Sequence, residues 1–235
     1  MSLAILISGG LDSAILLGDA LTREKGRPGA VHPLFVRCGL AWEAVELAYL
    51  RRYLEALRCS ALQPLVILEQ PVADVYGAHW SISGESVPVA DGPEEACFLP
   101  GRNVFLLAKA LIWCHLQRVP AVALGSLQTN PFPDATPAFF QGFQDLVNQA
   151  MQGQVAVRLP FAGMKKAAVM RLGHGLPLEH SFSCIAPIDE LHCGRCAKCG
   201  ERRQAFTDAG MADPTAYSTH GSDRARPIDA HALPQ

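Results

Sequence analysis

"AILISGGLDSAILLGDAL", residues 4–21, is the stretch that decides the fold. It begins as an apolar run, breaks at two glycines and resumes as an amphipathic segment. The apolar run predicts a buried strand over residues 3–7, and the spacing of the later apolar residues predicts a helix over 11–24. A parallel sheet binds ligands beyond the carboxyl ends of its strands, and the turn between this strand and this helix lies at such an end. The turn is therefore a candidate binding site.

Strands and helices alternate along most of the remaining chain. Further strands are predicted at residues 31–36, 64–68, 120–125 and 155–159. Further helices are predicted at residues 42–58, 103–117, 136–150 and 164–174, and residues 70–101 are predicted to form a long loop. Such alternation indicates an α/β fold, with a parallel sheet that is covered by helices on both faces.

Composition argues against two classes of protein. The 235 residues carry a formal net charge of −2, which does not favour a nucleic-acid partner. The sequence contains no run of about 18 apolar residues, so no membrane span is expected. The first residues enter a strand without a basic segment, so no signal peptide is expected and a cytoplasmic protein is predicted.

The turn "SGGLDS", residues 8–13, predicts a cradle for phosphate. Gly9 and Gly10 let the backbone approach an anion closely, and the following helix presents its positive end. Ser8 and Ser13 add hydroxyl donors, and Asp12 is placed either to cap the helix or to help hold Mg²⁺. The turn matches neither G-x-x-x-x-G-K-[ST] nor G-x-G-x-x-G, so a simple strand-to-helix turn capped by Asp12 or Ser13 is the alternative.

The order S-G-G-x-D-S after a first strand resembles the pyrophosphate (PP) loop of the N-type ATP pyrophosphatases. Those enzymes split ATP between its α and β phosphates and adenylate a substrate. The resemblance implies a Rossmann-like fold of the adenine nucleotide alpha-hydrolase type, with ATP bound at the loop. The ATP-binding residues that it implies are Ile7, Ser8, Gly9, Gly10, Leu11, Asp12, Ser13, Ala14, Asn103 and Gly125.

Four of the eight cysteines crowd into "SCIAPIDELHCGRCAKCGERRQAF", residues 183–206. They are Cys184, Cys193, Cys196 and Cys199. Four thiolates at this spacing can close a tetrahedral site, which predicts a structural Zn²⁺ with no open position. A ferredoxin-type run would need its fourth cysteine at Arg203, and His192 is an alternative ligand that four cysteines make unnecessary.

The PP loop and the cysteine segment together resemble the 7-cyano-7-deazaguanine synthase family of queuosine and deazaguanine biosynthesis. Four further tracts are similar to the family's S-[IV]-P, V-P-G-R-N, Y-P-D-C-R-x-E-F and K-A-E tracts. They are "SVPVAD" (86–91), "FLPGRNVFLL" (98–107), "PFPDATPAFF" (131–140) and "KKAAVMRL" (165–172). The matches follow one order across residues 3–206, which covers most of the chain.

This resemblance implies an ATP-dependent carbon–nitrogen ligase that releases AMP and pyrophosphate. It would convert 7-carboxy-7-deazaguanine and ammonia to an amide and then to a nitrile, through adenylated intermediates. The implied catalytic residues are Asp12, Lys166 and Arg102, the implied cofactors are ATP, Mg²⁺ and Zn²⁺, and a homodimer is one expected assembly. Asn103 is placed either to orient the nucleotide or to cap the helix that follows it.

Departures from the family pattern concentrate in the acceptor pocket. The family's Tyr-Gly-Gln-Arg-His tract is replaced by "CGLAWEAVE", residues 38–46, where Trp42, Glu43 and Glu46 stand instead. Asn130 replaces an acidic residue, and residues 135–136 replace a Cys-Arg pair. ATP handling is therefore expected to persist while the acceptor pocket differs.

Three residues are predicted to bind the acceptor. Asp134 is suited to accept hydrogen bonds from a guanine-like edge, although a plain turn residue fits its position nearly as well. Trp42 is placed to stack on a heterocycle, although a core aromatic at a helix start is the commoner case. Glu43 is placed to supply a new hydrogen bond that replaces those of the missing Arg-His pair.

Three segments are expected: an ATP pyrophosphatase domain at 1–180, a zinc-binding segment packed on it at 181–206, and a loosely packed tail at 207–235. Three other functions compete with the synthase. The enzyme would amidate a different carboxylate or stop at the amide; it would thiolate tRNA through a reactive cysteine such as Cys97; or it would be a zinc-containing interaction module whose ATP loop is vestigial.

Overall fold

The computed structural model, which describes residues 2–219, contains a five-stranded parallel sheet. Its strands are β1 (Leu3–Leu6), β2 (Val31–Arg37), β3 (Val66–Glu69), β4 (Ala121–Ala123) and β5 (Ala156–Arg158). They lie in the order β3-β2-β1-β4-β5, and each neighbouring pair is parallel. The α/β prediction is confirmed.

Eight helices accompany the sheet in the described part of the chain. They are α1 (Leu11–Arg23), α2 (Glu43–Ala56), α3 (Ala73–Tyr76), α4 (Trp80–Ser83), α5 (Arg102–Leu116), α6 (Pro137–Met151), α7 (Lys166–Leu172) and α8 (Ala197–Ala209). Every predicted strand and helix is present, with ends within two residues of the prediction. The predicted loop over 70–101 is not wholly irregular, because it contains the one-turn helices α3 and α4.

Alternate residues of β1 enter two separate cores, one on each face of the sheet. Ala4 and Leu6 pack in a cluster with buried residues of α5 and α6. Ile5, and Ile7 just after the strand, pack on the other face with buried residues of α1, α2, α7 and α8. A strand that is buried on both faces must be apolar at consecutive positions, which explains the continuous run that predicted it.

The order in which strands are added to the sheet reverses at β1: β2 and β3 lie on one side of it, and β4 and β5 lie on the other. In such sheets the loops that follow the two central strands diverge and leave a crevice for a ligand. Gly125, the second residue after β4, lies very close to the first turn of α1. A Cβ atom on Gly125 would stand 3.0 Å from the carbonyl carbon of Asp12 and 3.1 Å from its oxygen, so only glycine fits there without movement.

The cysteine segment is joined to the sheet domain by backbone hydrogen bonds. The Phe182 N–H donates to the Gly9 carbonyl (2.8 Å), and the Ala197 N–H donates to the Pro88 carbonyl (2.8 Å). The tract at residues 86–91 therefore serves as an edge against which the cysteine loop pairs, through a bridge between Val89 and Cys196.

Residues 207–219, the described part of the expected tail, contact the rest of the chain. Helix α8 continues to Ala209, and the Ser218 N–H then donates to the His192 carbonyl (2.8 Å). Residues 220–235, the rest of the predicted tail, lie outside the described residues. Among residues 2–219, no helix combines the length and apolarity that crossing a membrane requires.

We expect Gly125→Ala to destabilise the protein by about 1–3 kcal/mol, because the added methyl group would press on the backbone of Asp12. Gly142→Ala is the matched control, since Gly142 lies in α6 with nothing within 4 Å of the new Cβ. That change should stabilise by about 0.5–1 kcal/mol. Urea unfolding of both variants measures the difference, and equal effects would contradict the close approach at Gly125.

Candidate functional site

A cavity of about 360 Å³ lies beyond the carboxyl ends of β1 and β4. It is bounded by the start of α1, the loop between β2 and α2, the start of α5 and the cysteine segment with α8. The predicted site residues that line it are Ile7, Ser8, Gly10, Leu11, Asp12, Ser13, Trp42, Glu43, Arg102, Asn103, Gly125, Asp134 and Lys166. The fold thus brings into one cavity residues that are up to 159 positions apart, from Ile7 to Lys166.

The PP loop forms the floor of this cavity. Gly9 has a φ of +86°, a conformation that favours glycine, and Gly10 leads into α1 with extended backbone. Ser13 Oγ donates to the Gly10 carbonyl (3.1 Å) and accepts from the Ser8 N–H (3.3 Å). No side chain caps α1, so the alternative in which Asp12 or Ser13 is the cap is wrong. The open N–H groups of the first turn suit an anion.

Two of the predicted ATP-binding residues do not line the cavity. Gly9 turns its carbonyl to Phe182, as described above. Ala14 is fully buried, and its carbonyl accepts the Tyr53 hydroxyl (2.7 Å). Both residues therefore support the loop from behind.

Lys166 forms an ion pair with Asp12 across the mouth of the loop. The Lys166 Nζ lies 2.7 Å from each carboxylate oxygen of Asp12, and both side chains are partly exposed to the cavity. Lys166 is the first residue of α7, and Asp12 is in the first turn of α1. The packing of α1 against α7 therefore places a cation beside the phosphate cradle.

Asp134 and Asn103 bind each other in a reciprocal pair. The Asn103 N–H donates to Asp134 Oδ2 (3.0 Å), and Asn103 Nδ2 donates to the Asp134 carbonyl (2.9 Å). Asp134 lies in a 3₁₀ turn, Pro133–Ala135, and its carboxylate meets the positive end of α5. One of its two carboxylate oxygens is thus engaged in holding α5.

Glu43 and Trp42 are both engaged with the protein itself. The Glu43 carboxylate accepts from the N–H groups of Cys38 (2.5 Å) and Gly39 (3.0 Å), and from Arg37 Nε (3.3 Å). Trp42 stacks on Trp80, with ring centroids 5.7 Å apart and planes at 17°. These contacts hold the loop between β2 and α2 in the region where the family's Arg-His pair is missing.

Glu46 lines the same cavity and was not among the predicted site residues. Its side chain is 8% exposed, and burial raises the pKa of its carboxyl group to about 8; the charge of Arg102 opposes this shift and that of Glu43 adds to it. The sequence does contain a signal that could have identified Glu46 as a site residue, because it lies on the α2 face that also carries the buried Leu47 and Leu50. An acidic residue on a buried face requires an explanation.

Helix α8 contributes three side chains to the cavity that the sequence analysis also missed: Lys198, Glu201 and Arg202. They were missed because the segment was interpreted only as a metal site, although their i, i+3 and i+4 spacing places them on one helix face. Arg202 is 1% exposed and donates to the hydroxyls of Ser181 (3.0 Å) and Ser183 (3.2 Å). The cysteine segment therefore forms a wall of the cavity.

The four predicted metal ligands converge. The sulfur atoms of Cys184, Cys193, Cys196 and Cys199 all lie within 4.8 Å of one another, and all four residues are buried. Backbone N–H groups point at two of these sulfurs, from Cys193 to Cys184 (3.3 Å) and from Cys196 to Cys193 (3.3 Å). Such donors stabilise the thiolate form that binds a metal.

His192 is not part of this cluster. Its Nε2 accepts the Ser183 N–H (3.1 Å), and its ring packs against Phe182 with centroids 4.5 Å apart. Burial and the charge of Arg202 lower the pKa of His192 to about 3, so the ring is neutral. Its role in this structure is to pack beneath the cysteine loop.

The family model described as "Queuosine biosynthesis protein QueC" matches residues 2–210. This chain belongs to the QueC family. The 7-cyano-7-deazaguanine synthase of Solidesulfovibrio magneticus is 32% identical over 91% of this chain and 94% of its own length. That of Rhizobium etli is 34% identical over 92% of each chain. Among solved structures, the U34-tRNA thiolase NcsA from Methanococcus maripaludis with its [4Fe-4S] cluster matches at 12% identity, covering 89% of this chain and 67% of its own, with a TM-score of 0.48.

Membership of the QueC family confirms the family predicted from the PP loop and the cysteine spacing. It places the chain among proteins of queuosine biosynthesis, and the four-cysteine cluster is one that can bind a metal.

We expect Glu46→Gln to raise the midpoint of thermal unfolding by a few degrees at pH 8 and by less at pH 5. The pKa of Glu46 is about 8 in the folded protein and 4.5 in its usual state. Between pH 4.5 and pH 8 the folded protein therefore keeps a proton on Glu46 that the unfolded chain has lost. Stability therefore falls as pH rises from about 5 to about 8, and glutamine removes this loss.

Glu43→Gln is the matched control for this prediction. It replaces the carboxylate that accepts three hydrogen bonds with an amide, which is a weaker acceptor. It should therefore lower the midpoint of thermal unfolding at both pH values. Differential scanning fluorimetry across pH 5–8 makes the comparison. A Glu46→Gln shift that is the same at every pH would contradict the raised pKa.

Proposed function

We propose that this protein is a 7-cyano-7-deazaguanine synthase. It converts 7-carboxy-7-deazaguanine and ammonia to 7-cyano-7-deazaguanine, with ATP as the activating substrate and adenylated intermediates. One observation carries the proposal. A QueC-family chain holds SGGLDS, Lys166 and Arg102 around one cavity, at the point where the strand order of the sheet reverses.

ATP activation is assigned to the PP loop. The substrate carboxylate attacks the α-phosphorus of ATP, and pyrophosphate leaves with the developing negative charge. The open N–H groups of α1, the hydroxyl of Ser8 and the ammonium group of Lys166 are placed to stabilise that charge. Arg102 supplies a second cation to the same cavity.

Mg²⁺ fits the free face of Asp12. Carboxylate and phosphate oxygens are the ligands that this ion prefers, and the Asp12 side chain is partly exposed to the cavity beside the cradle. Asp12 together with the phosphates of ATP would hold the ion, which would neutralise phosphate charge. Lys166 keeps the Asp12 carboxylate oriented for this contact.

The acceptor is assigned to the wall formed by α2, α5 and the 3₁₀ turn. Ammonia displaces AMP from the adenylated carboxylate to give the amide, and a second activation removes the amide oxygen to give the nitrile. We assign Asp134 and Trp42 to shaping this wall, and Glu43 to positioning the loop that precedes α2, because its oxygens are already engaged.

Zn²⁺ fits the four-cysteine cluster. With Zn–S bonds of about 2.3 Å, the sulfurs of a tetrahedral site lie about 3.8 Å apart. The Cys184–Cys196 and Cys193–Cys199 sulfur pairs are 3.8 and 3.9 Å apart. Four cysteines leave no open position, so the ion would stabilise the fold and take no part in the reaction.

An amide-forming reaction, or amidation of another carboxylate, is the second candidate, and the replaced tract at residues 38–46 favours it. A tRNA thiolase is less well supported. Burial raises the pKa of both cavity-lining cysteines, Cys38 and Cys97, to about 11, so neither thiol is reactive near neutral pH. The family resemblance also underlies our proposals that the protein is cytoplasmic and homodimeric.

Incubation with ATP, Mg²⁺, ammonium and 7-carboxy-7-deazaguanine should yield AMP, pyrophosphate and the nitrile, with the amide as an intermediate seen by mass spectrometry. Asp12→Ala should abolish turnover, because it removes the partner of Lys166 and the proposed Mg²⁺ ligand. The distant Cys59→Ser should leave turnover unchanged, since Cys59 is exposed and does not line the cavity. ADP as the main nucleotide product would overturn the assignment.

Freshly purified protein should contain about one zinc per chain by elemental analysis. Cys193→Ser should lose the metal and lower the unfolding midpoint, because a closed thiolate site contributes directly to folding. Cys59→Ser serves again as the control and should retain the metal. Iron in place of zinc, or a full metal content in Cys193→Ser, would refute the structural zinc site.

A further inference from the structure

Five carboxylates line the cavity in the described part of the chain: Asp12, Glu43, Glu46, Asp134 and Glu201. Four of them have partners. Asp12 binds Lys166, Glu201 binds Lys198 (2.7 Å), and Glu43 and Asp134 accept the backbone N–H groups described above. The fifth, Glu46, accepts no hydrogen bond from any residue between 2 and 219.

Glu46 lies deep in the wall of the cavity. Its side chain is more than nine-tenths buried, one turn after Trp42 on the cavity face of α2. A carboxyl group that is buried without a hydrogen-bond partner destabilises the folded protein. A ligand that supplies the missing donors would remove this cost.

The surroundings of Glu46 define what such a ligand must offer. Arg102 of α5 influences the carboxyl group electrostatically, but the two form no ion pair within residues 2–219. The Arg102 Nε is itself buried without a hydrogen-bond partner. Glu43 on α2 and Cys38 in the preceding loop are the other ionisable groups that interact with Glu46. The wall thus presents one unused N–H donor near two unused carboxyl oxygens.

A guanine-like edge is complementary to this arrangement. It presents a carbonyl oxygen, a ring N–H and an exocyclic amino group in a row, so one acceptor stands beside two donors. The Glu46 carboxyl group holds a proton in the free protein near neutral pH, and it accepts from both donors at once when that proton is released to solvent on binding. Adenine presents an amino group next to an unprotonated ring nitrogen, which would repel the second carboxylate oxygen, so the nucleotide base is the poorer match.

We propose that Glu46 recognises the ring N–H and the exocyclic amino group of the acceptor heterocycle. This assignment rests on the proposed function, because it takes a deazaguanine as the acceptor. It transfers to Glu46 the recognition that the sequence analysis gave to Asp134. Asp134 instead holds the start of α5, from which Arg102 projects.

The test compares 7-carboxy-7-deazaguanine with the analogue that lacks the 2-amino group, by kcat/KM. In the wild-type protein the analogue should be about 10- to 100-fold poorer, because one hydrogen bond to a charged group is lost. In Glu46→Gln the two compounds should differ by less than about threefold, since glutamine's amide cannot accept two donors side by side.

Asp134→Asn is the matched control, because asparagine still offers an oxygen to the Asn103 N–H. It should keep the full discrimination between the two compounds, whatever its overall rate. The proposal is overturned if Glu46→Gln discriminates like the wild type, if Asp134→Asn loses discrimination instead, or if Glu46→Gln changes only the KM for ATP. A wild-type protein that cleaves ATP with another carboxylate but turns over neither compound would refute the proposed function itself, and this assignment with it.

Discussion

The hydrogen bond from the Phe182 N–H to the Gly9 carbonyl is the contact on which the rest of the site depends. Gly9 has a left-handed conformation and does not line the cavity, and its carbonyl accepts the N–H of Phe182, which begins the cysteine segment. The bond fixes the phosphate loop from behind. It also fixes the cysteine segment, so that α8 can place Lys198 and Arg202 on the opposite wall. A metal that orders the cysteines would thus also order the cavity.

Glu46 illustrates how a binding site opposes stability. A carboxyl group that is buried without donors weakens the folded state, and a substitution that removes its charge should strengthen the fold while weakening recognition. Glu43, three residues earlier on the same helix, has the opposite character because backbone N–H groups satisfy it. Two glutamates in one tract therefore serve different purposes, and their hydrogen-bond partners separate them.

The sheet and its helices were predictable because strands that are buried on both faces and helices with one apolar face leave strong periodic patterns. The turn between β1 and α1 was predictable because its glycines and hydroxyls are adjacent in sequence. The one-turn helices α3 and α4 were not, since four residues are too few to show a period. The hydrogen-bond partners of Glu43 were not predictable either. Two of them are backbone N–H groups, which nearly every residue type has, so no sequence pattern identifies them.

The contribution of α8 to the cavity was missed for a related reason. The cysteine spacing is specific enough to explain the whole segment as a metal site, whereas the roles of Lys198, between two cysteines, and of Glu201 and Arg202, after the last one, depend on how α8 packs. Lys166 was found through the family resemblance, since 154 positions separate it from Asp12 and no local pattern connects them. Long-range pairing of this kind requires either a structure or a family pattern.

The distance along the chain between the parts of the cradle has a consequence for biosynthesis. The SGGLDS turn is synthesised long before the residues that contact it: Lys166 binds Asp12, the Phe182 N–H donates to the Gly9 carbonyl, and Ser218 holds the cysteine loop. Contacts of such high sequence separation form late in folding. The PP loop is therefore completed only after synthesis has passed Phe182, and a nascent chain that ends before Lys166 carries the motif without these contacts.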